Sequence, residues 1–206
     1  WVEVPEDVET ALTHKYQDYG VETGVDPEET GIAHLGYIAG LHAAEHATIQ
    51  TAPLELRVDK NDLGGLSTLV LDTHMARDDE ATRTDTIAAT ERVIEQRTRA
   101  LDGDVSSGWF IYDGVEGGLG FSRAIYEQFE ALAERARDSL RDCGCGRPNG
   151  CPACTFDRNC GNDNKPLLRG SAVDVFDHLL GEGDALDAHL PDDEYGGERR
   201  PSIFYS

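Results

Sequence analysis

Apolar residues recur along the chain in two rhythms, helical and alternating, and each predicts its own kind of element. From Gly31 to Thr51 the residues are small and apolar, with Ile32, Leu35, Ile38, Ala43, His46 and Ile49 at helical spacing. This predicts a mostly buried helix that Pro53 ends. Leu54-Glu55-Leu56-Arg57-Val58 alternates with period two and predicts a strand, with a turn over Asp59–Gly65 and a second strand over Ser67–Thr73. The run Trp109-Phe110-Ile111-Tyr112, bounded by Gly108 and Asp113-Gly114, predicts a buried strand. Phe121, Ile125, Phe129, Leu132, Ala136 and Leu140 form the clearest amphipathic stripe, a helix over 121–141. Val2 and Val4 suit a short edge strand. Ile87, Ile94 and Leu101 recur every seven residues within the hydrophilic stretch 76–107 and predict a further helix. Val175, Phe176, Leu179 and Leu180 mark a last short helix with Ser171 as its cap. The expected architecture is α/β: a small mixed sheet (54–58, 67–73, 109–112) covered by the helices at 31–51 and 121–141, with a Cys-rich, zinc-bound loop near the C-terminus.

Charge changes this picture. The 206 residues carry 18 Lys+Arg against 40 Asp+Glu, a net charge of −22, and only Lys15, Lys60 and Lys165 are lysines. Short carboxylates with few lysines suit a halophilic protein, soluble through its net charge while salt screens self-repulsion. Such a background also weakens the usual objection that an acidic chain avoids nucleic acid. No run reaches the ~20 apolar residues of a membrane span, and no basic-then-apolar leader is present, so the expected location is cytoplasmic. The chain opens at Trp1 and its single methionine is Met75. That predicts a fragment of a longer polypeptide: 1–30 connecting to upstream domains, 31–180 a zinc-binding domain, and 181–206 an acidic flexible tail.

All five cysteines fall within 143–160, as Cys143-Gly144-Cys145, Cys151-Pro152-Ala153-Cys154 and Cys160. Four thiolates satisfy tetrahedral zinc, and a segment this poor in apolar residues needs such bonds to hold a shape. An odd count and a C-x-C too tight for easy bridging weigh against disulfides. One structural zinc held by four of Cys143, Cys145, Cys151, Cys154 and Cys160 is expected. Cys151 and Cys154 form the safest pair, and the C-x-C pair is favoured over Cys160.

His42-Ala43-Ala44-Glu45-His46 matches H-x-x-E-H, in which two histidines on one helix face share a zinc and the glutamate serves as base. The alternative function is therefore a zinc hydrolase using His42, Glu45 and His46. The favoured reading packs these residues against the Asp59–Gly65 turn without a catalytic metal, with Asp59, Asp62 and Asp72 as partners for the histidines. Gly117-Gly118-Leu119-Gly120, between a strand and a helix, suits either a phosphate cradle or a tight connection; it lacks the Gly-Lys-Ser/Thr of a nucleotide loop.

These segments in this order, from Leu41-His42-Ala43-Ala44-Glu45-His46-Ala47 through Asp62-Leu63-Gly64-Gly65, Phe110-Ile111-Tyr112-Asp113-Gly114 and Gly117–Gly120 to the cysteine stretch and Gly161-Asn162, resemble the C-terminal zinc-binding region of MrfA-type DEAD/DEAH-box helicases of superfamily two. The resemblance covers about 30–180. It implies an accessory domain of an ATP-dependent 3′–5′ DNA helicase linked to DNA repair, whose partners are its own motor domains and DNA, expected single-stranded. The chain has no G-x-x-x-x-G-K-[ST] and no D-E-x-H, so ATP and Mg²⁺ belong to the missing motor domains and no ATPase is expected here. The DNA-contact candidates are Arg123, Arg147, Arg158 and Lys165, weighted above Arg135, Arg137 and Arg141. A pure interaction module is the remaining alternative.

Overall fold

A computed structural model describes residues 1–19, 35–69, 107–115 and 117–182. In chain order the elements are β1 (Val2–Val4), α1 (Glu6–Lys15), α2 (Leu35–Leu56), a 3-10 turn (Lys60–Asp62), β2 (Leu63–Thr68), β3 (Ser107–Asp113), α3 (Phe121–Glu127), α4 (Phe129–Asp142) and α5 (Arg169–Leu179). The three strands form one sheet in the order β1-β3-β2, antiparallel throughout. This is the expected α/β class, with helices over a small sheet, but the sheet is antiparallel rather than mixed, and β1 takes the place expected for 54–58.

α2 is the axis of the fold and packs against α4, α5 and β2. Its residues are buried almost continuously from Gly36 to Ala52. Its neighbours approach closely enough that a Cβ on Gly40 would lie 2.0 Å from Ser171 Oγ. The main core joins Tyr37 and Leu41 of α2 to Trp109 of β3, Leu140 of α4 and Phe176 of α5. A smaller cluster gathers Ile49, Ala52, Val58, Leu63, Ile125 and Leu132. β1 and α1 also carry core residues, Val4, Val8 and Leu12.

Five local expectations are corrected. Pro53 does not end α2; it lies inside the helix, which runs on to Leu56. The chain turns only at Arg57, whose φ is 55°. The alternation at 54–58 is therefore a final helical turn and a reversal, not a strand: Leu54 is exposed, while Val58 is buried in the smaller cluster. The proline costs one backbone hydrogen bond near the helix end, and the long buried face of α2 outweighs that. β2 begins at Leu63, so Gly64 and Gly65 are strand residues rather than turn; 70–73, like the helix expected within 76–107, lies outside the described residues, apart from Ser107 at the start of β3. The stripe at 121–141 forms two helices, because Gln128 leaves the helical region with φ −126° and ψ 24°. Ser171 lies buried inside α5 and does not cap it; the preceding residue there is Leu168. The acidic tail lies outside the described residues from 183 onward.

Candidate metal centre

The cysteine segment is an irregular loop between α4 and α5, and α2 fixes its position. Side chains along one α2 face bond to its backbone carbonyls: His42 Nδ1 to Pro166 O at 2.8 Å, His46 Nδ1 to Thr155 O at 2.7 Å, and Gln50 Nε2 to Phe156 O at 2.8 Å. The Leu168 N–H donates to Ala39 O at 3.0 Å. Residues 42, 46 and 50 are successive steps of four, one row on a helix, so this row positions the whole loop.

Within the loop Cys143, Cys145, Cys151 and Cys154 bring their sulfurs within 4.8 Å of one another. The Cys143–Cys151 and Cys151–Cys154 sulfur separations are 3.7 and 3.8 Å. These are far beyond a disulfide bond, but tetrahedral zinc with sulfurs at about 2.3 Å requires neighbouring sulfurs about 3.8 Å apart. Backbone N–H groups support the thiolates: Ala153 donates to Cys151 Sγ at 3.4 Å and Cys151 to Cys154 Sγ at 3.3 Å. The Ala153 N–H and the neighbouring thiols draw the Cys151 thiol down to about 7, while burial pushes Cys154 up to about 12. Gly150 admits the turn into the second pair: its φ is +81°, and a Cβ there would lie 2.0 Å from Thr155 Oγ1. Four thiolates around Zn²⁺ carry a net charge of −2, and Arg169 at the start of α5 answers it. Its Nη1 donates to Cys143 O at 2.8 Å and lies 3.4 Å from Cys145 Sγ. Sequence reasoning does not single out Arg169; its place just beyond the cysteine segment is the available signal. The donor set fits a structural zinc.

The fifth cysteine, Cys160, stands apart. Its sulfur lies 3.4 Å from His42 Nε2 and groups with His42 and His46. The two histidines therefore face the cysteine loop, not the Asp59–Gly65 turn, and carbonyl oxygens rather than Asp59 or Asp62 are their partners; Asp72 is outside the described residues. Burial, aided by His46, pushes His42 down to about 4, and burial also lowers His46. Glu45 does face β2: its carboxyl sits where a Gly65 Cβ would be, 2.5 Å away, and accepts hydrogen bonds from the Ser67 backbone and side chain. Burial raises it to about 8. A glutamate turned into the sheet and engaged by Ser67 is not placed to activate water for a hydrolase.

The glycine turn is also occupied from within. Gly117, Gly118 and Gly120 take positive φ, and the N–H groups of Leu119, Gly120, Phe121 and Ser122 all donate to the Asp113 carboxylate, at 2.6 to 3.3 Å. A carboxylate of the chain itself stands where a phosphate would bind, so the turn is a helix-capping connection and not a phosphate cradle.

The DNA-contact candidates are scattered. Arg123 pairs with Glu127 at 2.9 Å, Arg158 donates to Asn61 at 2.9 Å, and Lys165 lies 3.4 Å from Asp163. Arg147 is exposed and has no ion pair among the described residues. Arg135 pairs with Glu55, and Arg137 and Arg141 pair with Asp177.

Comparison with known proteins places these features in context. Residues 44–155, more than half of the chain, match the family described as the MrfA Zn-binding domain. The Uncharacterized protein MJ1572.1 of Methanocaldococcus jannaschii is 29% identical over 140 residues, covering 68% of this chain and 99% of that protein. The crystal structure of the DUF1998 helicase MrfA bound to DNA aligns with 17% identity and a TM-score of 0.42, over 69% of this chain and 14% of that one. The chain thus spans about a seventh of that helicase.

Proposed function

The chain belongs to the MrfA Zn-binding domain family, and on that premise we propose that it is the C-terminal zinc-binding accessory domain of an ATP-dependent 3′–5′ DNA helicase acting in DNA repair. The observation that carries this reading is the set of four sulfurs within 4.8 Å of one another, two pairs of them at tetrahedral spacing, inside the matched span. A structural zinc on Cys143, Cys145, Cys151 and Cys154 would hold the loop between α4 and α5. ATP and Mg²⁺ belong to motor domains outside this sequence, and the chain alone hydrolyses no ATP. The domain supports the motor and handles the separated single strand. Of the candidate cations, Arg147 is exposed with no ion pair among the described residues, and Arg158 lies on the same loop; Arg123 and Lys165 must first leave carboxylates. The acidic composition with three lysines suits work in the cytoplasm of a salt-rich cell.

The test is Arg147→Ala combined with Arg158→Ala in the helicase that carries the domain. Single-strand affinity and unwinding should fall, and the salt slope should drop by about 0.7 for each phosphate that is no longer neutralised, while DNA-free ATP hydrolysis stays unchanged. Unaltered affinity and slope would leave the region a scaffold and the strand to the motor.

A further inference from the structure

We propose that the chain holds a second, non-catalytic metal site for a borderline-soft divalent transition ion, zinc first, formed by His42 Nε2, His46 Nε2 and Cys160 Sγ. Their donor atoms lie within 4.8 Å of one another, and the two imidazoles pack edge to face with centroids 4.4 Å apart. Two of the three ligands, His42 and Cys160, lie outside the span that matches the family model.

The ring nitrogens are already assigned their roles. A carbonyl oxygen only accepts, so each Nδ1 that meets one, His42 at Pro166 and His46 at Thr155, carries the proton. Both Nε2 atoms are then left as bare lone pairs in neutral rings, the form that binds a metal, with the backbone fixing ring orientation as an outer partner does in known zinc sites. Burial pushes the Cys160 thiol up, and backbone donors at the sulfur work against that. The Asn162 N–H donates to Cys160 Sγ at 3.3 Å, a second backbone donor comes from Asn164, and Asp163 and Asn164 take positive φ as the loop curls around the sulfur. The Cys151 and Cys154 sulfurs receive the same kind of N–H support. Nitrogen at about 2.0 Å and sulfur at about 2.3 Å from tetrahedral zinc lie about 3.5 Å apart; the Cys160–His42 separation is 3.4 Å.

Two neutral imidazoles and one thiolate suit zinc better than a hard cation such as Mg²⁺ or Ca²⁺, and solvent completes the fourth position. Glu45 is held by Ser67, so the ion ties α2 to residues 155–166 rather than activating water. This site would pin the far end of the loop that the four-cysteine site pins near α4. The metal-free competitor is a simple S–H···N hydrogen bond between Cys160 and His42, which occupies the same distance.

Zinc content and X-ray absorption at the zinc edge separate the two on the intact chain loaded with zinc. Two zincs per chain, with imidazole scattering alongside sulfur, are expected; Cys160→Ala should lower the count to one and remove the imidazole signature. One zinc with sulfur-only scattering in the unmutated chain would overturn the site while leaving the four-cysteine site intact. Should Cys160→Ala fail to fold, His42→Gln decides in its place: a weakened imidazole signature supports the site, and one that persists in full refutes it.

Discussion

Asp113 and Arg169 each complete a structure whose other parts are plain in the sequence. Asp113 accepts four backbone N–H groups at the start of α3. Asp113 is half-buried; the burial that opposes ionisation is outweighed by hydrogen bonds from Ser122, Gly120 and Leu119, and its pKa is lowered from 3.8. A depressed carboxylate stabilises the fold above its unfolded pKa and loses that contribution as the pH falls through the folded one. Asp113→Asn, which removes the charge at the start of α3, should therefore cost up to about 1 kcal/mol near neutrality. The gap in Tm between variant and unmutated protein should close below pH 3.8; a gap constant down to strongly acidic pH would show that charge plays no part. Arg169 acts on the metal rather than the fold. Partners one step behind the ligands typically set metal affinity within about 10- to 100-fold. Arg169→Gln should thus speed zinc loss to a competing chelator roughly tenfold with little change in helix content, and unchanged release would mean the guanidinium serves only Cys143 O.

Elements were legible where burial and period agreed, and less so where tertiary contact decided. The apolar run of α2, the β3 run and the stripe of α4 could be read directly, and so could a thiolate cage in Cys143–Cys154. α1 was not, although Val4, Val8, Ala11 and Leu12 have helical spacing and Glu6 and Asp7 open the helix as Lys15 closes it; the polar average of the region hid the stripe. Pro53 misled because a proline rule is local while α2 is stabilised by three neighbours. The C-x-C spacing favoured leaving Cys160 apart from the other four cysteines, but its place beside His42 could not be read, since it follows from the α2 row of His42, His46 and Gln50 reaching across more than a hundred residues. Two element-level outcomes follow from these contacts. Gly40→Ala should destabilise the fold by about 1–3 kcal/mol through overpacking, because Ser171 offers a side chain at 2.0 and 2.6 Å and backbone at 3.1 Å. Thermal or denaturant unfolding checks this, and Ser171→Gly in the same chain should recover part of the loss. Cys154→Ser should release zinc and raise amide exchange across 143–165, while α4 keeps its protection through Leu132, Ala136 and Leu140, all fully buried. Loss of α4 protection at the same rate would make the metal the nucleus of the whole fold.

Across the whole molecule the excess charge has few internal counterparts. Arg137, only 10% exposed, meets Asp138 at 3.1 Å, Asp177 at 3.5 Å and Glu182 at 2.8 Å, and Arg141 meets Asp177 at 2.5 Å. With 18 cations against 40 carboxylates, acidic side chains outnumber basic ones by 22. Salt then has two opposed effects. It weakens contact ion pairs, each worth about 0–1 kcal/mol at a surface, and it relieves the mutual repulsion of the surplus carboxylates. The length scales decide which wins. Raising ionic strength from 0.01 to 0.1 M shortens the screening length from about 30 to about 10 Å, which removes repulsion between carboxylates spread over the surface but hardly touches partners in contact. Only near 1 M, where the screening length is about 3 Å, do the contact pairs weaken as well. Tm should therefore climb steeply between 0.01 and 0.1 M KCl and continue upward more slowly, with zinc held in excess so that metal loss does not contribute. A Tm that falls over the first interval would show that the ion pairs around Arg137 and Arg141, and not the net charge of −22, govern the electrostatics of the fold.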